Sequence, residues 1–75
     1  MKDQFALHKK CIHNEIPVMI LSGTDAVAHE VVEMYYNKAR EMGCTPEFLA
    51  DLRDKIDIDF KLFKKQEPNK IKLPD

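Results

Sequence analysis

Met42-Gly43-Cys44-Thr45-Pro46-Glu47-Phe48-Leu49 is the clearest punctuation in the chain. Gly43 suits the left-handed residue just past a helix end, Thr45 suits an N-cap, and Pro46 suits the first helical position after it. One helix stops here and another starts. The sequence on either side therefore reads as an antiparallel two-helix hairpin to which shorter flanking pieces attach.

Upstream, the spacing predicts a helix over residues 23–42. Either Ser22 or Thr24 can cap it, and with Ser22 as cap Asp25 falls at the third helical position, where a short acid favours the positive end of the dipole. Ala28, Val31, Val32, Tyr35, Ala39 and Met42 share one face, with Glu30, Glu33, Asn37, Lys38 and Glu41 largely opposite. Val27 and Met34 widen the apolar arc on one side and Tyr36 on the other, to about 200° where a single partner needs roughly 100°. More than one neighbour must cover this helix.

Downstream, a second helix is expected over residues 45–65. Leu49, Leu52, Ile56, Phe60 and Phe63 make its stripe at spacings of three and four. Asp51 to Lys55 and Asp57 to Lys61 have the spacing for surface ion pairs. Ile58 and Leu62 fall roughly opposite the stripe and form a minor second apolar patch.

Residues 16–21, IPVMIL, are a continuous apolar run of strand length between Asn14-Glu15 and Ser22-Gly23. Brevity, β-branched members and flanking turn residues favour a short strand. Pro17 cannot donate a ladder hydrogen bond and belongs at the start or on an unpaired edge. A strand needs a mate, and three segments qualify: residues 70–73 of the same chain, the same strand of a second copy, and, least suited, residues 5–8. Ahead of it, residues 1–15 place Phe5 with Ile12 and Leu7 with Cys11 at helical spacing, which predicts a short helix begun near Asp3. Residues 66–75 read as a turn and an extended tail. The fold class expected is thus α+β and mainly helical, in one domain spanning residues 1–75.

Composition bounds the function. The chain has 75 residues, 44% of them apolar and 33% charged, with a formal net charge of −1. That balance gives no global pull toward nucleic acid or anionic membrane. No apolar run approaches the roughly 20 residues that span a bilayer, and nothing at the N-terminus has the pattern of an export signal, so a cytoplasmic protein is expected. A domain of this size buries only about 60% of the surface its unfolded chain exposes, which makes a homodimer the expected state.

The order Pro17-Val18-x-Ile20-Leu21-Ser22-Gly23-x-Asp25-x-x-Ala28, then Tyr35, then Gly43-Cys44-Thr45-Pro46-Glu47-Phe48-Leu49, then Phe60-x-x-Phe63 and Pro74-Asp75, resembles a group of short uncharacterised bacterial proteins. The resemblance implies a small intracellular bacterial protein. It rests on caps, turns and core positions, and it transfers no catalytic or binding residue.

Chemistry-bearing clusters are few. His8-x-x-Cys11-x-His13 gathers three metal-capable side chains, but structural zinc sites join two separated ligand pairs and the second pair is missing, so no metal or other cofactor is expected. The junction at residues 21–25 has the order of an anion-binding helix N-terminus but one glycine, no following lysine and an acid where the anion would sit. Cys11, Cys44 and Ser22 have no motif that would set an oriented base beside them, so no enzymatic activity is expected. A helix-turn-helix reading fails on Glu47, Asp51 and Asp54, which would face phosphate.

The expected role is a protein-interaction scaffold or regulatory module that self-associates. Its surface is carried by Val18 and Ile20 of the strand with Val27, Met34, Ile58 and Leu62 of the helices. The alternative is weak, non-specific nucleic-acid binding through Lys61, Lys64, Lys65, Lys70 and Lys72.

Overall fold

A computed structural model describes residues 3–75, so Met1 and Lys2 of the expected N-terminal segment lie outside the described residues. Helix α1 spans Gln4–His13, α2 spans Ala26–Glu41 and α3 spans Pro46–Asp54. The last runs without a break through a π-helical segment, Lys55–Lys61, into α4, Leu62–Gln66. A single 3-10 turn at Pro68–Lys70 leads to the tail. No described helix is long and apolar enough to cross a membrane.

The α+β expectation is overturned: the described chain is mainly helical and contains no strand or sheet. Residues 16–21 take neither helical nor strand structure and all are exposed. The reason is the lack of a mate. Residues 5–8 are consumed in α1, and the tail goes elsewhere: the Ala26 amide donates to the Lys72 carbonyl and the Lys72 amide to the Thr24 carbonyl, both at 2.9 Å, in an isolated parallel bridge between Asp25 and Lys72. β-branched composition favours a pleated surface only where a partner completes it.

Local capping chemistry fixes the helix ends. Asp3 accepts from the Phe5 and Ala6 amides at the start of α1. Asp25, not Ser22 or Thr24, caps α2, accepting from the Val27 and Ala28 amides at 2.8 and 3.3 Å. Ser22 and Thr24 instead close a turn on each other, with their hydroxyls 2.8 Å apart and the Thr24 amide donating to the Ser22 hydroxyl. A carboxylate is the better acceptor for two amides at a dipole's positive end, which moves the start of α2 to Ala26. Thr45 accepts from the Phe48 amide at 3.1 Å and Pro46 opens α3.

Both α1 and α2 end in Schellman turns. After α2, Gly43 has φ 88°, with Cys44 donating to the Ala39 carbonyl at 3.0 Å and Gly43 to Arg40 at 3.2 Å. After α1, Ile16 donates to Cys11 at 2.8 Å and Glu15 to Ile12 at 3.2 Å, and here the left-handed position, φ 57°, is held by Glu15.

The helix α2 packs against the rod formed by α3, the π segment and α4, and runs opposite to it: Arg53 meets Glu33, and farther along Phe60 meets His29. Ala39, Leu52 and Ile56 form the buried cluster, flanked by Val32, Tyr36, Phe48 and Leu49. The π segment has a packing cause. Leu52, Ile56 and Phe60 are two successive four-residue steps apart, and in an α-helix of about 3.6 residues per turn each step carries the side chain farther round the axis. A wider turn returns them to one face, which leaves Ile56 only 1% exposed.

Candidate interaction surface

Two faces of α2 differ in what covers them. The inner face presents Ala28, Val32, Tyr36 and Ala39, of which Ala28 and Ala39 are buried. The outer face presents Val27, Val31, Met34, Tyr35 and Met42, all exposed, Met34 at 68% and Met42 at 76%. These five recur at helical spacing and form an apolar stripe along the side turned away from the rod, interrupted by the exposed Lys38 between Met34 and Met42. At its C-terminal end the stripe opens into a shallow groove of about 320 Å³ lined by Tyr35, Lys38, Ala39, Met42, Gly43 and Cys44.

The sequence-derived surface residues are distributed over three places. Val27 and Met34 lie on the outer stripe; Ile58 and Leu62 are exposed on the rod; Val18 and Ile20 are exposed in the irregular stretch ahead of α2. Val31, Tyr35 and Met42, which the sequence places on one face with Ala28, Val32 and Ala39, complete the stripe. The inner and outer faces of one wide apolar arc differ in what covers them, and periodicity alone does not say which half meets the rod.

The polar side of the same helix is organised around Arg53. Its guanidinium donates to both Glu33 oxygens, at 2.7 and 3.0 Å, and to both Asp57 oxygens at 2.9 Å, while its plane lies 4.7 Å from the Tyr36 ring centre. Lys61 joins Glu33 at 2.8 Å and Asp57 at 3.1 Å. Hydrogen bonds from Arg53, then Lys61, hold the Glu33 carboxyl down at about 2. The same two donors lower Asp57, and Glu33 followed by Asp57 raises both Arg53 and Lys61. This network clamps α2 to the rod. It leaves all four charges committed to each other.

The other candidate residues do not assemble into a site. Lys61 is tied into the network and Lys70 lies 3.7 Å from Glu67, so the C-terminal lysines are partly neutralised. Arg53 and Lys55, the bases near the start of the second helix, pair with acids of the rod. His8 and Cys11 are half-buried on α1 while His13 is exposed, and among the described residues no three His, Cys, Asp or Glu side chains form a group that could hold a metal ion. Cys11 and Cys44 are both free. His29 is structural: its Nε2 lies 2.7 Å from the Gly23 carbonyl, which makes that nitrogen the protonated one, and its ring meets Phe60 edge-on at 5.4 Å.

No protein-family model, curated protein or solved structure matches the chain.

Proposed function

We propose that the protein is a small self-associating interaction module, a scaffold or regulatory homodimer, whose contact surface is the outer apolar stripe of α2. The observation that carries this reading is surface area. The chain exposes 6132 Å², roughly 1,300 Å² more than a folded monomer of its mass is expected to expose. Specific interfaces take about 800 Å² from each partner, and obligate ones more. On α2 the exposed apolar side chains are Val27, Val31, Met34, Tyr35 and Met42.

A net charge of −1 leaves copies of the chain without mutual repulsion at long range. Two free cysteines suit a reducing compartment, which favours the cytoplasm.

Sedimentation equilibrium at micromolar concentration tests it. The expected mass is twice 8.8 kDa, falling to the monomer value in Met34→Glu, which buries a carboxylate without a partner if the stripe is covered. A compact monomer at 100-fold higher concentration overturns the reading.

A further inference from the structure

Self-association does not by itself say what covers the stripe, but the N-terminal arm does. Helix α1 is fully formed, capped at both ends, and yet has no buried residue and packs against no other helix of the described chain. A free helix of this length is marginal in water, so it needs a surface. Together with residues 14–21 it makes an arm studded with exposed apolar side chains, among them Phe5 at 71%, Ile12, Met19 at 78% and Ile20. The arm also inflates the molecule: the radius of gyration is 13.4 Å, against about 11 Å for a compact domain of this length.

We infer that each copy lays its arm, residues 3–21, across the outer stripe of α2 of a second copy, in a reciprocal exchange. The inference rests on the self-association proposed above and names the contact. Two unpaired apolar surfaces exist on one chain, and a two-fold arrangement satisfies both at once with the same contact used twice. The area agrees: an excess of roughly 1,300 Å² per copy gives a total within the range of obligate dimers. Charge agrees at one position: α1 carries Lys9 and Lys10 while one flank of the stripe carries Glu30, Glu41 on that flank already lying 3.4 Å from Lys38. The Schellman turn at Glu15 sets the angle at which α1 leaves the linker, and in the single chain that angle leaves α1 clear of its own α2.

Paramagnetic broadening between copies tests the exchange. A spin label is placed through Lys10→Cys in a Cys11→Ser, Cys44→Ser background, and this unenriched protein is co-refolded with unlabelled, ¹⁵N-enriched chain. The expected result is loss of at least half the amide signal along the outer side of α2 in the enriched copy. In the wild-type protein, isotope-filtered spectra should show contacts between the Phe5 ring of one copy and the Met34 or Met42 methyl of the other, with no substitution needed. Phe5 contacts to the α2 methyls found only within a single copy, with no broadening between copies, mean that the arm folds back on its own α2 and overturn the exchange. A dimer with neither effect overturns the exchange but leaves the self-association reading standing; a monomer removes both.

Discussion

Gly43 and Gly23 hold the two glycine positions of the chain for different physical reasons. At Gly43 a Cβ would meet nothing within 4 Å, so space is no constraint; the constraint is φ 88°, which an L side chain adopts only with strain. At Gly23 no left-handed backbone is involved, and a Cβ would lie 3.5 Å from Phe63 Cδ1, an ordinary contact. Gly43→Ala should therefore cost about 1 kcal/mol of stability in denaturant titration. Gly23→Ala should fall within about 0.5 kcal/mol of the parent, because the methyl fits and restricts the unfolded chain. Equal losses at both would mean that packing, not backbone handedness, governs the α2 to α3 turn. Residue-scale chemistry of this kind is legible in a sequence because its range is three or four residues: Gly43, Thr45 and Pro46 announce a turn wherever they stand in this order. The cap of α2 was less legible. Ser22, Thr24 and Asp25 can each cap a helix, and the choice fell to Asp25 once Ser22 and Thr24 had bonded to each other.

At the scale of elements, the contact between α2 and the rod carries a specific pH signature. Glu33 sits at about 2 in the folded chain against an ordinary value of 4.5. In that window the folded state binds fewer protons than the unfolded one, so stability rises with pH. The contribution is complete above about 4.5 and is lost as pH falls toward 2; Asp57, lowered by the same donors, adds to it in the same direction. Denaturation midpoints of the wild type should decline between pH 5 and 2, and Glu33→Gln should flatten much of that decline while costing about 1 kcal/mol at pH 7, the modest value of a half-exposed network. An unchanged slope in the variant would show that Glu33 is not held by Arg53 and Lys61. The same elements mark where sequence reading stops. The rod's stripe from Leu49 to Phe63 is visible as spacing, whereas the π segment is not, since a widened turn follows from how Leu52, Ile56 and Phe60 meet α2. The apolar run at 16–21 looks like a strand for good local reasons, and only the position of Lys72 against Thr24 and Ala26 shows that its nearest mate is taken.

For the whole molecule, the decisive quantity is how little one chain buries. Among the described residues four apolar side chains are buried, and two of them are alanines. Fully burying a Leu or Ile contributes about 1.5–3 kcal/mol, so the Leu52 and Ile56 cluster is a thin core for a chain whose helices must each be held in place. The wide apolar arc of α2 is readable in the sequence, but which half of it the rod leaves exposed depends on packing that periodicity does not show. If association supplies the missing burial, folding and dimerisation are one equilibrium, and the midpoint of thermal unfolding must depend on protein concentration. Raising the concentration from 1 to 100 μM should increase Tm by several degrees in the wild type, since a mass-action gain of about 2.7 kcal/mol accompanies each 100-fold step. Ile58→Glu and Met34→Glu separate the faces. Ile58 stands on the rod away from the stripe of α2, so its variant should keep the concentration dependence, while the Met34 variant should unfold at one low temperature whatever the concentration. A wild-type Tm that is constant over this range would place all of the stability within a single chain, and the exposed stripe of α2 would then need no second copy to explain the fold.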